Sequence, residues 1–192
     1  MIEWSIDAFR ACGSVRRIVV ATPPGHAHRL GGADLGIVSG AATRAQSVAN
    51  ALATVDTALV AIHDAARPLL TAELVEALVA RLDEAPEAAG VIAAAPVTDT
   101  IKRVAAESVG ETLDRSELWA AQTPQLFRTE PLRKALASSP SPEQATDEAM
   151  LVERAGGTVL IHPCGPENLK VTTRLDLRVA ELLLAERSVA QQ

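Results

Sequence analysis

The sequence has little cysteine, no long apolar run and no excess of positive charge. Its 192 residues include only two cysteines, Cys12 and Cys164, which are too few and too far apart for a disulfide framework or a cysteine-based metal site. No apolar run approaches the roughly 18 residues of a membrane span. A net charge of −6 argues against a general nucleic-acid or membrane-binding surface. Any anionic ligand must therefore meet a local cluster of arginine and lysine.

What is present indicates one globular unit. The hydrophobic fraction is 48% and the charged fraction is 22%, which is typical of a chain that buries a full core. The first residues show no signal-peptide pattern. We therefore expect a single domain over residues 1–192 that works in a reducing cytoplasm.

Apolar β-branched runs alternate with helical patterns along most of the chain. Strands are predicted over residues 16–22, 35–38, 59–62, 90–95 and 158–161, and helices over 1–11, 43–55, 71–85, 129–138, 146–155 and from 174 onward. The second helix is predicted to begin with a capping box, Thr43-Arg44-Ala45-Gln46. Such alternation predicts right-handed crossovers and a mostly parallel sheet, which is an α/β fold.

Residues 99–119 interrupt the alternation. Two short polar runs, 100–104 and 111–115, flank a turn that contains Gly110, and this pattern predicts a two-stranded ribbon that extends from the domain as an arm. A lone hairpin is marginally stable in water, so we expect the arm to pack on a partner.

The clearest candidate site follows the strand at residues 59–62. There the apolar run ends abruptly in His63-Asp64-Ala65-Ala66-Arg67-Pro68. Ligands of α/β sheets bind beyond the carboxyl ends of the strands, so Asp64 and Arg67 are candidates for binding an anionic, hydroxylated ligand. The alternative is that Asp64 caps the next turn and Arg67 pairs with it on the surface.

Six segments in order along the chain resemble one enzyme family. They are GAATRAQSV (40–48), HDAARP (63–68), PVTDTIK (96–102), DRSELWAAQTPQ (114–125), TDE (146–148) and NLKVT (168–172). Together they resemble the 2-C-methyl-D-erythritol 4-phosphate cytidylyltransferases of the non-mevalonate isoprenoid pathway. The resemblance implies a Rossmann-like nucleotidyltransferase sheet and a homodimer formed through the protruding β-arm at residues 99–119.

The resemblance also implies a reaction. A cytidylyl group would pass from CTP to methylerythritol phosphate, giving CDP-methylerythritol and pyrophosphate. The implied cofactor is Mg²⁺ bound mainly through the CTP phosphates, with no separate metal site on the protein. Because two polyanions must be brought together, cations would do most of the work by positioning and by stabilising charge.

Individual roles follow from the matching positions. The resemblance implies a nucleotide site made of Gly40, Ala41, Ala42, Ser47, Asp64 and Ala65. It implies that methylerythritol phosphate is held by Asp64, Arg67, Thr100, Arg115, Thr123 and Lys170, some of them from the partner subunit's arm. Arg115 and Lys170 match the two catalytic residues that position the phosphate for attack. Without the resemblance, Arg115 would be interpreted as a surface charge on the ribbon and Lys170 as a cation in a loop.

The sequence departs from the family at its start. The family opens with a strand and a glycine-rich loop that wraps the triphosphate and supplies an arginine and a lysine, whereas residues 1–5 resemble the segment after that unit. Gly31–Gly36 and Gly156-Gly157 lack a following lysine at the spacing of a phosphate loop. Ala41 replaces a glycine that is common in the family. We expect that the sequence starts at an internal methionine or is truncated, and that the chain as written is inactive or nearly so.

Two other functions stay open. A related enzyme would act on another pentitol phosphate, such as ribitol phosphate. A non-catalytic relic would bind a sugar phosphate or serve only as a dimer partner.

Overall fold

The structure, a computed structural model, describes residues 1–26, 30 and 34–190. Gly31 and Gly32 of the glycine-containing stretch considered above lie outside the described residues. The described elements, in chain order, are α1 (Ile2–Ala11), β1 (Ile18–Thr22), β2 (Leu35–Ser39), α2 (Arg44–Leu52), β3 (Leu59–Ile62), α3 (Ala72–Asp83), β4 (Gly90–Pro96), β5 (Lys102–Ala105), β6 (Ser108–Thr112), β7 (Trp119–Arg128), α4 (Thr129–Ser138), α5 (Glu148–Arg154), β8 (Val159–Pro163) and α6 (Arg174–Ala190). Within these ranges, none of the helices has the length and apolarity needed to span a bilayer.

Polar caps determine where three of the helices begin. The side chains of Thr43, Thr71 and Asp147 each accept a hydrogen bond from a backbone amide three residues later. Each cap satisfies an amide that has no partner inside its helix, and the capping residue itself stays extended. The predicted helix start at Thr43 is therefore confirmed, although α2 ends at Leu52 rather than continuing to Val55.

The sheet is mixed and lies in two parts. β1 pairs in parallel with β2, and the second part has the strand order β3-β7-β4-β8. β4 pairs in parallel with β8, whereas β7 is antiparallel to both β3 and β4. The predicted α/β class is confirmed, with one antiparallel strand inside the larger part.

β7 is the strand that the sequence pattern does not predict. It is central in its part of the sheet, yet Gln122, Thr123 and Gln125 are among its buried residues. It therefore lacks the continuous apolar run of a typical central strand. Pro124 also interrupts the pattern, because proline has no amide to donate to a strand partner.

Apolar side chains cover both faces of the larger part of the sheet. Ile92 and Phe127 pack with residues of α2, α4 and α5 on one face, and Val91 and Leu126 pack with α3 on the other. Neighbouring residues of a strand point to opposite faces, so β4 and β7 each contribute to both clusters. α1 packs on the α3 side. The domain consequently has helices on both sides of the sheet.

The predicted arm is present, but its turn lies elsewhere. β5 and β6 pair in antiparallel fashion, and the turn is formed by Ala106 and Glu107, whose φ angles are 45° and 67°. Gly110 lies within β6. Arg115, expected in the second strand, instead begins a short 3-10 turn. The sequence pattern did not predict the position of this turn, because neither of the two residues with positive φ angles is a glycine.

Candidate active site

Asp64 follows β3 and lies between two cations from distant parts of the chain. Arg44 Nε is 3.1 Å from Asp64 Oδ1, and Lys170 Nζ is 2.8 Å from Asp64 Oδ2. The Asp64 side chain is 16% exposed, whereas that of Lys170 is 45% exposed. Burial raises the pKa of Asp64, but the hydrogen bond from Lys170 and the charge of Arg44 outweigh it, so that the pKa is lowered overall. Asp64 is therefore a carboxylate at neutral pH.

Arg44 also contacts a second, more deeply buried carboxylate. Its Nη1 lies 2.6 Å and 2.8 Å from the two carboxylate oxygens of Glu148, which is 1% exposed in the first turn of α5. Burial raises the pKa of Glu148, and the charge of Arg44 offsets this only in part. Burial lowers the pKa of Arg44, yet the two carboxylates produce a net rise. Arg44 thus joins α2, α5 and the loop after β3.

The hydroxyl of Thr123 on β7 holds the loop that contains Asp64 in place. Asp64 N donates to Thr123 Oγ1 at 3.0 Å, and that oxygen is 3.0 Å from His63 Nδ1. His63 Nε2 is 3.0 Å from the carbonyl oxygen of Arg67. We assign the roles so that the Thr123 hydroxyl donates to Nδ1 and Nε2–H donates to the carbonyl oxygen of Arg67. This is the pattern of a neutral imidazole. Burial lowers the pKa of His63 to about 4, which agrees with this assignment.

Arg67 is buried rather than displayed on the surface. It is 9% exposed, and its Nη1 donates to the carbonyl oxygen of Asn168 at 2.6 Å. Asn168 Nδ2 donates in turn to the carbonyl oxygen of Thr123 at 2.9 Å. These bonds hold the loop that contains Lys170 against the loop that contains Asp64. The alternative of a surface ion pair between Asp64 and Arg67 is therefore wrong, and a role of Arg67 in binding sugar phosphate stays a prediction.

The turn at residues 40–42 lies at the carboxyl end of β2. Gly40 N donates to the Thr22 carbonyl oxygen at 2.7 Å, and a Cβ on Gly40 would stand only 3.0 Å from that oxygen. Ser47 Oγ accepts a bond from Ala41 N and donates one to the Thr43 carbonyl oxygen, both at 2.9 Å. The turn is thereby held against the amino-terminal end of α2, where amides and the helix dipole favour an anion.

The structure brings together part of the predicted site. Asp64 and Lys170 are in contact, and Ala65 is exposed in the same loop as Asp64. Ala41 and Ala42 are exposed to solvent in the turn after β2. Thr123 is 5% exposed, and its hydroxyl is used within the protein.

Two predicted residues lie apart from this group, at the base of the arm. Thr100 precedes β5 and is exposed, and Arg115 Nη1 donates to the carbonyl oxygen of Thr98. In the described part of the chain, Arg115 makes no hydrogen bond or ion pair with Asp64 or Lys170. Its contact with a substrate at Lys170 stays a prediction that involves the arm of a partner subunit.

Sequence reasoning missed three side chains that shape the site, namely Arg44, Glu148 and His63. Glu148 belongs to the TDE segment, where Asp147 caps α5 and the adjacent acid is buried against Arg44. An acid at the start of a helix usually reads as a favourable surface charge, so the pattern gives no sign of burial. His63 directly follows an apolar strand, and only that position hinted that its imidazole is enclosed.

This fold and this site define an α/β protein whose candidate site lies at the carboxyl ends of its strands. Helices lie on both faces of a mixed sheet. The carboxylate of Asp64, between two cations, and the start of α2 both lie at the carboxyl ends of the strands. Ligands of such sheets bind at these ends. The chain belongs to the family of IspD, 2-C-methyl-D-erythritol 4-phosphate cytidylyltransferase, whose family model matches residues 1–186.

Individual relatives agree with this membership. The chain is 46% identical over 197 residues to the bifunctional enzyme IspD/IspF of Anaeromyxobacter dehalogenans, a match that covers 96% of this chain but only half, 50%, of that protein. It is 40% identical over 201 residues to the 2-C-methyl-D-erythritol 4-phosphate cytidylyltransferase of Synechococcus sp. (strain WH7803), covering 97% of this chain and 87% of the relative. The crystal structure of the 2-C-methyl-D-erythritol 4-phosphate cytidylyltransferase from Thermus thermophilus superimposes with a TM-score of 0.83 at 34% identity, covering 96% of this chain and 88% of that one. The predicted family and fold are confirmed.

Proposed function

We propose that the protein transfers a cytidylyl group from CTP to 2-C-methyl-D-erythritol 4-phosphate, giving CDP-methylerythritol and pyrophosphate in the non-mevalonate synthesis of isoprenoid precursors. Family membership supports this reaction, as does the name of a relative that shares nearly the whole chain. The observation in the structure that carries the proposal is the position of Asp64 between Arg44 and Lys170. This arrangement offers the Lys170 ammonium to a phosphate and the Asp64 carboxylate to a hydroxyl group of the same ligand.

The chemistry requires positioning more than proton transfer. An oxygen of the methylerythritol phosphate attacks the α-phosphorus of CTP in line, and the bond from that phosphorus to the β-phosphate oxygen breaks, so that pyrophosphate leaves with the electron pair. We propose that Lys170 exchanges its contact with Asp64 for the substrate phosphate, while Asp64 accepts a hydrogen bond from a substrate hydroxyl. Arg115 would add a second cation, and bound cations in these positions reduce the repulsion between the two polyanions.

The nucleotide would lie on the α2 side of the same cluster. The turn at residues 40–42 and Ser47 are proposed to meet the cytosine, with Asp64 and Ala65 near the ribose. The carboxylate of Asp64 would then be shared between the two substrates at the point where they meet. The exposed position of Ala41 leaves this turn accessible to a flat base.

Mg²⁺ is proposed to bind mainly through the CTP phosphates. Both oxygens of Asp64 are already paired with cations, and among the described residues no group of three or more His, Cys, Asp or Glu is arranged to hold a metal. This donor set fits an ion held by the nucleotide better than one held by the protein. The ion would neutralise part of the triphosphate charge, while Lys170 and Arg115 would hold the phosphate of the other substrate.

We further propose a homodimer formed through the arm at residues 99–119. The cross-strand pair Val104 and Val109 is exposed to 58% and 62%, and a hairpin without a packed face is marginally stable. Exchange of arms about a two-fold axis would cover both hairpins. It would also carry Thr100 and Arg115 toward the partner's substrate. Two free cysteines are compatible with the cytoplasmic location that we propose.

The test uses the 192-residue chain and an extended chain, in which the strand and glycine-rich loop of the Thermus thermophilus relative precede Met1. Pyrophosphate release is measured with CTP, Mg²⁺ and either methylerythritol phosphate or ribitol phosphate. Faster release with methylerythritol phosphate in the extended chain supports the proposal. Faster release with ribitol phosphate favours the related pentitol-phosphate enzyme, and calorimetric binding of a sugar phosphate without any release favours the non-catalytic relic.

A further inference from the structure

The loop between β8 and α6 carries Lys170 and is anchored by one buried side chain. Among residues 164–173, all of which the structure describes, Asn168 alone is buried, with 2% of its surface exposed. Loops usually lie in water, so a buried asparagine in a loop needs partners inside the protein. We propose that Asn168 is the positioning residue for Lys170, because its side chain fixes the loop, and with it the ammonium group, relative to Asp64. This inference rests on the role of Lys170 in the proposed transfer.

The amide of Asn168 is held by two residues of β7. Its Nδ2 donates to the Thr123 carbonyl oxygen and to Gln122 Oε1, both at 2.9 Å. A backbone carbonyl can only accept, so the bond to Thr123 determines which atom of the amide is the nitrogen. Asn168 Oδ1 is buried and has no hydrogen-bond partner among the described residues. The two N–H donors, rather than the oxygen, therefore hold the side chain in place.

Thr123 aligns the loop of Lys170 with the loop of Asp64. Its carbonyl oxygen accepts from Asn168, and its hydroxyl oxygen accepts from the Asp64 amide at 3.0 Å. Thr123 is 5% exposed and belongs to β7, which lies between β3 and β4. A buried residue of a central strand has little freedom to move. Both loops are thus referred to one rigid point, and Asn168 supplies the connection on the Lys170 side.

The backbone of Asn168 makes a further connection between the loops. Its carbonyl oxygen accepts from Arg67 Nη1 at 2.6 Å, and Arg67 belongs to the loop of Asp64. Lys170 lies only two residues after Asn168, and its ammonium is carried on a flexible four-carbon stem. A charge stabilises a transition state best when it is already in place, and a misplacement of about 1 Å can cost roughly 10²-fold in rate. A fixed backbone at Asn168 limits where this ammonium can go.

The first test follows the amine of Lys170 without any substrate. The 192-residue chain is treated with trace acetic anhydride, and mass spectrometry gives the acetylation of Lys170 relative to that of Lys134 on α4. An amine held against Asp64 reacts more slowly than a free one. Asn168→Ala should raise the Lys170-to-Lys134 ratio about two- to fivefold, the factor expected for loss of a weak ion pair. Asn168→Ser, whose hydroxyl retains one donor, should give an intermediate ratio.

A control separates positioning from a general loss of stability. Phe127→Leu removes core packing from a fully buried residue of the same strand, β7, and should lower the free energy of unfolding without changing the ratio. Urea denaturation shows that each variant is folded under the labelling conditions. If Asn168→Ala does not fold, Asn168→Ser alone decides. An unchanged ratio in the folded Asn168 variants, or an equal rise in Phe127→Leu, would overturn the proposal.

The second test uses turnover by the extended chain. Asn168→Ala should lower kcat by about tenfold to 10²-fold and change the KM for CTP by less than about twofold. Because Asn168 acts through Lys170, the double variant Asn168→Ala/Lys170→Ala should be no slower than Lys170→Ala alone. Effects that multiply would overturn the proposal. Absence of transfer by the unsubstituted extended chain would contradict the proposed function instead, and the acetylation ratio would still decide the role of Asn168.

Discussion

Lys170 Nζ and Asp64 Oδ2 lie 2.8 Å apart, although 106 residues separate them in the sequence. The contact joins the loop after β8 to the loop after β3. Beneath it, the Val171 amide donates to the Ala66 carbonyl oxygen at 2.8 Å, so the backbones of the two loops are also joined. Lys170 therefore has a defined position before any substrate arrives, and a phosphate needs only to replace a carboxylate as its partner.

The first prediction concerns this lysine. In the extended chain, Lys170→Ala should lower kcat/KM by roughly 10²–10³, by analogy with the loss of one donor in an oxyanion hole. The side chain is 45% exposed, and Asp64 keeps Arg44 as a partner, so the free energy of unfolding should fall by no more than about 1 kcal/mol. Lys134→Ala, which alters a lysine on α4 away from the site, is the control. Steady-state kinetics with near-normal kcat/KM for Lys170→Ala would refute its assignment.

The second prediction concerns the arm. Arg115→Ala should impair turnover as Lys170→Ala does, and if the arm crosses between subunits the two variants should complement each other. Mixing and reassociating equal amounts should restore roughly a quarter of wild-type activity, because half of the dimers are mixed and each has one intact site. Lack of any recovery, in samples that sedimentation shows to be mixed dimers, would mean that each arm serves its own subunit.

The third prediction separates the roles of Arg44 and Glu148. Arg44→Ala leaves a nearly fully buried carboxylate without its partner, and we expect a loss of about 3 kcal/mol in the free energy of unfolding at neutral pH. Glu148→Gln should cost less, since Arg44 keeps Asp64 and an amide oxygen can still accept its hydrogen bond. Urea denaturation measures both. The control is Arg10→Ala, which removes an exposed arginine with two carboxylate partners and should change little. Equal losses for Arg44→Ala and Arg10→Ala would contradict the inferred burial of Glu148.

The fourth prediction is a pH dependence caused by His63. Its pKa falls from 6.5 to about 4 in the folded protein, chiefly through burial. Between these values the unfolded state binds more protons than the folded state, so stability decreases as the pH falls from 6.5 to 4, by at most about 3 kcal/mol. His63→Gln should lose this dependence. Glu148, whose pKa is raised, acts in the opposite direction, but it is present in both proteins. Identical pH profiles of urea stability for the wild type and His63→Gln would show that burial does not perturb His63.

Local patterns predicted much of this molecule, and the failures have physical causes. The strand at residues 59–62 and the helix start at Thr43 depend on neighbouring residues, so periodicity and capping chemistry were sufficient. β7 depends on distant partners: Gln125 is 1% exposed because Asp147 and the Ala149 amide, more than 20 residues away, satisfy its side chain. A buried polar residue with remote partners looks like a surface residue in the sequence.

The same limit applies to the site. Asp64 could be predicted from its place after a strand, but its partners Arg44 and Lys170 are 20 and 106 residues away, and spacing alone does not bring them together. Arg67, four residues after His63, was expected to bind a ligand or to pair with Asp64 on the surface, because it lies in the loop after a strand. Its burial depends on the Asn168 carbonyl, which is 101 residues away. Only resemblance to a family drew attention to the Lys170 loop.

The last prediction is that the 192-residue chain releases pyrophosphate far more slowly than the extended chain. One reason is the sheet: a cavity lined by β1 and β3 reaches Ser47 and Asp64, and among the described residues neither strand has a partner on its cavity side, so a strand placed there would hold these residues in register. The other reason is charge, because Arg44 already neutralises Glu148 and Asp64 and has little charge left for a triphosphate. We expect both chains to bind methylerythritol phosphate, with the 192-residue chain binding it more weakly.

The measurement is pyrophosphate release at saturating CTP and Mg²⁺. The control is an extended chain whose glycine-rich loop lacks its arginine and lysine. Equal rates for the 192-residue chain and the intact extended chain would show that the added segment is dispensable and that the nucleotide is held differently from the arrangement proposed here.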